Sequence, residues 1–399
     1  MKKIIVKKFG GTSLSSFEAR KKAVDLIKSS VESDFKVVAV VSAMGRKGDI
    51  FSTDTLIDNL KKELPNASDT EKALLTSTGE FYSCLSVASM LRDNKLKVEI
   101  FSGADVPIIT ENKTFNAKIK SVGTENILKA FENNDVVVVA GFQGITEFGI
   151  VSTLGRGGSD TTATALGVAL KADCVEIYTD VDGVMTADPK IYSETNKIDE
   201  LNFVEMGEMA SEGAKVLHTP SVEIAERYDV DILVKNTFSN DKGTRVSKNA
   251  KNTEIVTGFI HRKDITDFFV DYTLVNNYPK RQRGLFKSLA EKHISLDLIN
   301  ICGKKVYFAV NSSDTEAVRQ HLIDTGMRFF ERDNVAKISC IGAGMKGTAG
   351  VMAKVVNQLK KANIKIYRSV DSLINISCII DEDKLQNAMK ILHELINYK

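Results

Sequence analysis

Two glycine-rich stretches of the chain carry cationic side chains and are suited to binding anions. Residues 8–13 read Lys-Phe-Gly-Gly-Thr-Ser, and residues 155–160 read Gly-Arg-Gly-Gly-Ser-Asp. Glycine lets the backbone approach a ligand closely, and the free N–H groups at a helix start attract anions. Lys8 suits a phosphate as a mobile point charge, whereas the forked guanidinium of Arg156 suits a carboxylate. Ser159 or Asp160 is predicted to cap the helix that follows.

A third stretch, residues 179–183, reads Thr-Asp-Val-Asp-Gly and follows a run typical of a strand. Ligands bind at the carboxyl ends of the strands in open α/β sheets. The spacing lacks the remaining ligands of a calcium loop, so nucleotide contact is the favoured interpretation. Taken alone, each of the three stretches also fits an ordinary turn without a ligand, and that alternative stays open here.

The other reactive side chains limit the kinds of reaction that the chain could catalyse. No Cys–His or Ser–His arrangement is evident, and the histidines lie mostly late in the chain, at His218, His261, His293, His321 and His393. Phosphoryl transfer depends on positioning and charge more than on such a nucleophile. A carboxylate acceptor needs no general base, because an Asp-type group is already ionised near pH 7. These residues predict a kinase that forms an acyl phosphate.

The motifs require a sheet that brings them together. Short runs rich in β-branched residues alternate with helical patterns, and the predicted strands are residues 4–6, 37–41, 98–101, 136–140, 175–178 and 232–234. Apolar residues on both faces of a strand indicate a parallel sheet covered by helices on both sides. We expect one α/β domain over residues 1–245, with further helices at about 17–30 and 164–172.

The last third of the chain has a different pattern that occurs twice. Polar stretches at 239–243 and 247–252 predict a linker. Beyond it, a helix, a strand near Ile294, a second strand and a second helix are followed by a similar series near Ile364. Each series predicts a small domain with helices on one face of an antiparallel sheet. The predicted boundaries are 255–332 and 333–399.

Composition limits the class of protein. The chain has 399 residues and a formal charge of only +2, without the basic excess of a dedicated nucleic-acid binder. The five scattered cysteines suit a reducing compartment rather than a disulfide framework. Neither a signal peptide nor a membrane-spanning run is evident. We therefore expect a cytoplasmic protein that binds neither nucleic acid nor membranes.

Taken together, the motifs resemble those of the aspartate kinase family. The matching segments are residues 8–13, Val-Ser-Ala-Met-Gly at 41–45, Gly-Glu at 79–80, residues 155–160, residues 179–183 and Gly-Ala-Lys-Val-Leu-His at 213–218. The resemblance covers essentially the whole chain. It implies an α/β fold, with a large parallel-sheet three-layer amino-acid-kinase domain followed by two α+β ferredoxin-like ACT domains. No stretch suited to a dinucleotide-binding domain follows, so a monofunctional kinase is expected.

The resemblance also implies a reaction and its residues. The family phosphorylates the β-carboxylate of L-aspartate with ATP, giving 4-phospho-L-aspartate for lysine, threonine and methionine biosynthesis. By position, Lys8 is expected to bridge the transferring phosphoryl group, and Asp160 to orient Lys8. Arg156 is expected to bind the substrate α-carboxylate, and Glu80 its ammonium group. The residues expected to add hydrogen bonds to aspartate are Ser42 and Ser159.

ATP is the second substrate that the resemblance implies. The residues expected to contact it are Gly10, Gly11, Thr12, Thr179, Asp180 and Lys215. Mg²⁺ is expected to accompany ATP and to be held mainly by phosphate oxygens, so no metal ligand is predicted.

The chain departs from the family pattern at several positions. Where members often carry Lys-Thr-Thr-Asp, residues 46–49 read Arg-Lys-Gly-Asp, so a hydroxyl that could touch substrate is missing at Gly48. Met185 replaces a common tyrosine, and Thr219 separates His218 from Pro220. In place of a Thr-Ser-Glu-like run of lysine-sensitive members, residues 300–303 read Asn-Ile-Cys-Gly. None of these changes removes a charged catalytic residue.

The repeats imply regulation and assembly. Asp297 is retained and is expected to receive the ammonium group of an amino-acid effector, with lysine favoured over threonine. The small open sheets leave edges to cover, which predicts a homodimer or a dimer of dimers. A purely structural role for the repeats is the alternative. Two rival functions are another amino-acid-kinase-fold enzyme, such as a glutamate, acetylglutamate, carbamate or uridylate kinase, and a catalytically inactive amino-acid sensor.

Overall fold

The computed structural model describes residues 2–250 and 254–396. These residues divide into two units. The first contains residues 2–184, 197–211 and 215–250, and the second contains residues 185–196, 212–214 and 254–396. Residues 251 and 252 of the predicted linker, and residues 397–399 of the predicted last domain, lie outside the described residues.

The first unit is built on a mainly parallel sheet, as predicted. Its strands are β1 (Ile4–Phe9), β2 (Lys36–Val41), β3 (Val98–Phe101), β4 (Ile108–Thr110), β5 (Ile119–Val122), β6 (Val136–Ala140), β7 (Gln143–Thr146), β8 (Val151–Thr153), β9 (Val175–Thr179), β10 (Glu200–Leu201), β11 (Ile232–Asn236) and β12 (Thr244–Val246). Eight strands pair in the order β10-β12-β11-β9-β1-β2-β6-β3, and only β11 and β12 pair antiparallel. A separate sheet, β5-β4-β7-β8, was not predicted, because its short strands lack a continuous apolar run.

Helices cover both faces of the large sheet. They are α1 (Gly11–Leu14), α2 (Phe17–Glu32), α3 (Thr53–Glu63), α4 (Asp69–Asp93), α5 (Glu125–Ala130), α6 (Gly158–Ala169), α7 (Phe203–Glu212) and α8 (Thr219–Tyr228). Apolar residues of α2 and α4 pack against alternate residues of β2, including Val37 and Val41, whereas α6 packs against β1 and α8. No helix of residues 2–250 or 254–396 is long and apolar enough to cross a membrane.

The start of α6 differs from the prediction. Its N-cap is Gly157, which has φ +66°, and no side chain caps the helix. Ser159 and Asp160 lie within the first turn, so the prediction that one of them caps the helix is wrong. Asp160 is instead paired with Lys8. The helix also begins earlier than residue 164, because Gly158, which suggested a loop, is its first residue and Gly157 is its N-cap.

The polar stretch at 239–243 belongs to the first unit and is not a loose linker. The hydroxyl of Ser239 donates to Asp182 Oδ1 over 2.6 Å, and the Gly243 N–H donates to Asp241 Oδ1 over 2.8 Å. Strand β12 follows immediately and completes its part of the sheet. Polar side chains occur in packed turns, where they form hydrogen bonds, as well as in solvated linkers. The sequence alone did not distinguish these two cases here.

Within residues 254–396, the second unit forms one antiparallel sheet with four α-helices. Its elements are β13 (Gly258–Asp271), α9 (Tyr278–Glu291), β14 (Asp297–Cys302), β15 (Lys305–Asn311), α10 (Thr315–Asp324), β16 (Arg328–Ile341), α11 (Val351–Lys361), β17 (Arg368–Asp371), β18 (Asn375–Asp381) and α12 (Leu385–His393). The strand order is β14-β15-β13-β16-β18-β17. The long strands β13 and β16 pair along their length, so both repeats share them. The predicted division between residues 332 and 333 lies inside β16.

Two predicted strands begin later than expected. Ile294 and Ile364 were placed in strands, but each follows a helix and precedes β14 or β17 by a few residues. The preceding residues, His293 and Asn363, have φ near +55°. The amides of Ile294 and Ile364 donate to Leu289 and Leu359, five residues back. This is the Schellman closure of a helix, in which the apolar residue packs back on the helix rather than entering a strand.

Candidate active site

A cavity of about 860 Å³ lies in the first unit at the carboxyl ends of β1, β2 and β9. All but two of the site residues predicted in this unit line it. They are Lys8, Gly10, Gly11, Ser42, Glu80, Arg156, Ser159, Asp160, Thr179 and Lys215. Parallel strands end at the same edge of a sheet, which is why residues distant in sequence meet there. Thr12 and Asp180 are the exceptions.

Lys8 and Asp160 form an ion pair inside the cavity. Lys8 Nζ lies 2.6 Å from Asp160 Oδ1, and the two side chains are 12% and 5% exposed. Lys8 projects from β1 toward α6, whereas its neighbour Lys7 projects to the opposite face of the sheet. Lys7 Nζ lies 2.6 Å from Glu176 Oε2, and both side chains are buried. Successive side chains of a strand point to opposite faces of the sheet, so Lys8 faces the cavity whereas Lys7 is buried on the other face.

The turn after β1 packs directly against the turn after β2. A methyl group on Gly11 would lie 2.7 Å from the carbonyl oxygen of Gly45 and 2.8 Å from that of Ala43. Only glycine permits this approach. The Gly45 N–H donates to the Gly11 carbonyl over 3.0 Å, and the Ser42 N–H donates to the Phe9 carbonyl over 3.1 Å. Ser42 is thereby held at the wall of the cavity.

Glu80 is a buried carboxylate that lacks one of its partners. It lies on α4 and is 2% exposed. Its Oε1 accepts the Ala43 N–H over 3.1 Å, but Oε2 has no hydrogen-bond partner among the described residues. Burial raises the pKa of Glu80 to about 8, and the Ala43 N–H only partly opposes this. An ammonium group entering the cavity would satisfy Oε2 and favour the ionised form.

Two cations in the cavity wall are exposed. Arg156 follows Gly155 just before α6, and Lys215 lies between α7 and α8. Neither forms an ion pair with any residue in 2–250 or 254–396. Unpaired cations beside a concave surface favour anionic ligands, and a guanidinium in particular can hold a carboxylate through two hydrogen bonds.

The loop after β9 holds its acidic residues away from the cavity lining. Asp180 Oδ2 lies 2.7 Å from Nη2 of Arg46, and Thr179 donates its hydroxyl to Asp180 Oδ1 over 3.2 Å. Asp182 Oδ1 accepts from Asn236 and Ser239. Thr12 is in α1, and its carbonyl accepts the hydroxyl of Ser15. The predicted nucleotide contacts of Thr12 and Asp180 remain predictions.

Several residues that line the cavity were given no role from the sequence, among them Thr53, Phe142 and His218. Thr53 follows the α3 N-cap Ser52, so a hydroxyl does reach the cavity although Gly48 carries none. The sequence signal that could have identified Thr53 is the triplet Ser-Thr-Asp at 52–54, which follows the expected position at Gly48 by a few residues of loop. Phe142 has φ +70°, unusual for a bulky residue. His218 lies at the N-cap of α8, and the sequence indicated it only as the last residue of the 213–218 motif, without a role.

Asp297, the predicted effector contact, lies in the second unit and is already paired. Its Oδ2 is 2.8 Å from Lys337 Nζ and 3.6 Å from Nη1 of Arg262, while Oδ1 accepts the Leu298 N–H over 2.7 Å. Lys337 is 3% exposed and also lies 2.7 Å from Glu212. An effector ammonium group at Asp297 would have to compete with Lys337.

The described residues contain no group of three or more His, Cys, Asp or Glu side chains that could hold a metal ion. Acidic side chains near the cavity are individually engaged or isolated, as with Asp160 and Glu80. This donor set fits a divalent ion that arrives on phosphate oxygens better than one held by the protein alone.

Comparison with known proteins places the chain in a family. Residues 3–236 match the amino acid kinase family, and residues 338–395 match the ACT domain. Aspartokinase 1 of Bacillus subtilis (strain 168) is 40% identical over 400 residues, covering 98% of each chain. The aspartokinase of Geobacillus stearothermophilus is 37% identical, covering 98% of this chain and 96% of its own.

Solved structures give the same fold. The aspartate kinase of Clostridium acetobutylicum aligns with a TM-score of 0.80 at 22% identity, covering 98% of this chain and all of its own. Escherichia coli aspartokinase III, in complex with aspartate and ADP, aligns with a TM-score of 0.79 at 24% identity, covering 98% and 99%. The predicted fold class is confirmed. Given these matches along its length, the chain belongs to the amino acid kinase family and, within it, to the aspartokinases.

Proposed function

We propose that this chain uses ATP to phosphorylate the β-carboxylate of L-aspartate. One observation carries the proposal: the unpaired guanidinium of Arg156 and the half-partnered carboxylate of Glu80 line the same cavity as the Lys8–Asp160 pair. An α-amino acid carries a carboxylate and an ammonium group, which complement these two side chains. The E. coli aspartokinase III structure contains aspartate, which supports this choice of substrate.

The residues act by positioning and charge. Arg156 and Glu80 hold the α-carboxylate and α-ammonium of aspartate, and Ser42 and Ser159 add hydrogen bonds. The β-carboxylate is then free to attack as an ionised nucleophile, so no base is required. Lys8, oriented by Asp160, neutralises charge that develops on the transferring phosphoryl group. Preorganised charge of this kind is usually the largest single contribution to catalysis.

ATP occupies the opposite end of the cavity in this proposal. Gly10, Gly11, Thr179 and Lys215, which line the cavity, contact the nucleotide in this proposal, with Thr12 and Asp180 as further contacts of the same turns. ADP in the E. coli aspartokinase III structure supports nucleotide binding. Mg²⁺, carried by phosphate oxygens, would neutralise phosphate charge when bound.

A coupled assay of ADP release tests the proposal. The purified chain is supplied with ATP, Mg²⁺ and L-aspartate, L-glutamate or no acceptor. We expect ADP release that requires L-aspartate and, with hydroxylamine added, an aspartyl hydroxamate that reports the acyl phosphate. Release with glutamate would favour another enzyme of this fold, and aspartate binding without ADP release would favour an inactive sensor.

The second unit is proposed to regulate this activity. The proposed repeats at 255–332 and 333–399 would bind an amino-acid effector, with lysine favoured and Asp297 receiving its ammonium group. E. coli aspartokinase III has also been solved with lysine and aspartate in its T-state, which supports this choice. Melting temperature and activity with each proteinogenic amino acid test it. If none changes either quantity, a structural role for the repeats is favoured.

The setting of the enzyme is part of the proposal. A cytoplasmic homodimer or dimer of dimers suits a sheet whose outer strands, β14 and β17, leave edges to be covered. Light scattering of the purified chain, with and without lysine, measures the assembly. A monomer under both conditions would contradict it.

A further inference from the structure

His218 lines the cavity but has no part in the proposed reaction. Its imidazole packs directly on Gly157, the N-cap of α6. A methyl group on Gly157 would lie 1.9 Å from Cγ and 2.0 Å from Cδ2 of His218. These separations are far below van der Waals contact, so the ring fills the space that any side chain at residue 157 would need.

The backbone that carries the ring is held by contacts of its own helix, separate from the ring's contact with Gly157. His218 is the N-cap of α8, and its carbonyl accepts the amides of Ser221 and Val222 over 3.0 and 3.3 Å. The hydroxyl of Ser221 lies 2.7 Å from that of Thr164 on α6, in a buried pair. These contacts hold α8, and with it the backbone of His218, against α6 independently of the ring's contact with Gly157.

Gly157 is the point at which the chain turns from the Arg156 loop into α6. It has φ +66°, and its carbonyl accepts the amides of Asp160 and Thr161 over 3.0 and 3.1 Å. Arg156 precedes this point and is exposed, and the Gly158 N–H closes the turn around it by donating to the Gly155 carbonyl over 2.9 Å. Removing the ring would leave space into which the turn can relax.

We propose that His218 is a positioning residue for the substrate α-carboxylate. Its ring supports Gly157 and so fixes where Arg156 and Ser159 leave the backbone. The inference rests on the proposed function, in which these two residues bind aspartate. His218 touches no reacting atom in this account, so its loss should weaken aspartate binding more than nucleotide binding or turnover.

Steady-state kinetics of the full chain test the inference with two substitutions. We expect His218→Ala to raise the KM for aspartate by roughly tenfold, since small displacements of binding groups are costly, with the KM for ATP and kcat changed less than about threefold. His218→Phe keeps a planar ring and should retain a KM for aspartate near that of the wild type. An unchanged KM for aspartate in His218→Ala, or equal impairment of both variants, would overturn the inference.

A double-mutant cycle adds a measurement that global instability would not mimic. Gly157→Ala should raise the KM for aspartate, because its methyl meets both the ring and the Cβ of His218. Adding His218→Gly, which removes both, should partly restore it. Simple additivity of the two effects would contradict the contact. Wild-type enzyme without aspartate-dependent ADP release would refute the proposed function instead, and melting temperatures identify any variant that does not fold.

Discussion

Buried Lys337 in the second unit and buried Glu80 in the first unit differ in how fully their hydrogen-bond partners among the described residues satisfy them. In the second unit, Lys337 Nζ lies 2.7 Å from Glu212 and 2.8 Å from Asp297. In the first unit, Glu80 is equally buried but leaves Oε2 unpaired among the described residues. The exposed guanidinium of Arg156, which forms no ion pair with another described residue, lines the same cavity.

The difference separates charges that maintain the structure from charges that await a ligand. An unsatisfied buried carboxylate lowers stability, and a fold retains it most readily where a bound partner completes it. Breaking a buried ion pair, by contrast, is strongly destabilising, but an intact pair has no unsatisfied group left to bind a ligand. Substitutions in the two units should therefore affect different quantities.

Lys337→Met should give the largest effect, and it should be on stability. It leaves Glu212 and Asp297 without their shared cation, which we expect to cost about 3–5 kcal/mol of unfolding free energy in the second unit. Urea denaturation followed by circular dichroism measures this. Adding Glu212→Gln and Asp297→Asn should recover much of the loss, and a cost below about 1 kcal/mol for Lys337→Met alone would break the comparison.

Lys8→Ala should give the next largest effect, on catalysis. Loss of a charge aimed at the transition state is expected to lower kcat by about 10²–10³-fold in the ADP-release assay. Lys7→Met is the matched control, because Lys7 adjoins it in sequence but pairs with Glu176 on the other face of the sheet. It should lower stability while kcat stays within about tenfold. Retention of more than about a tenth of kcat in Lys8→Ala would exclude the proposed role.

Arg156→Ala should act on substrate affinity alone. Hydrogen bonds to a charged group contribute about 1.5–3 kcal/mol, so the KM for aspartate should rise roughly 10–100-fold while the KM for ATP is nearly constant. Arg156→Lys should retain only part of the wild-type affinity for aspartate, since an ammonium group cannot form the forked contact. An equal rise in both KM values would place Arg156 outside the aspartate subsite.

Sequence alone predicted the parts of the fold and site that depend on local pattern. Continuous apolar runs such as residues 136–140 identified the central strands, and the cavity then follows from where parallel strands end. Thr53 was missed because its position depends on the length of the loop before α3. Ile294 and Ile364 were misplaced because an apolar residue can close a helix as well as start a strand. The partial pairing of Glu80 depends on packing that no local pattern encodes.

Glu80→Gln should remove a pH dependence of stability that the Glu80 carboxyl group contributes to the first unit. With a pKa near 8 in the folded chain, against an ordinary 4.5, Glu80 holds a proton that the unfolded chain releases between these values. The contribution of Glu80 to the free energy of unfolding therefore falls by about 1.4 kcal/mol per pH unit as the pH rises from about 4.5 to 8. Glutamine cannot titrate, so the variant should lose this slope in urea denaturation.

The same proton should control aspartate binding in the opposite direction. The substrate ammonium group needs the ionised carboxylate, of which only about a tenth is present at pH 7 if the pKa is near 8. The wild-type KM for aspartate should therefore fall up to about tenfold between pH 7 and pH 8.5 and then level off. Glu80→Gln should show a high KM that does not vary over this range. A wild-type KM that is already constant below pH 7 would mean that Glu80 is ionised before substrate arrives, and its unpaired oxygen would then need another explanation than a waiting ammonium site.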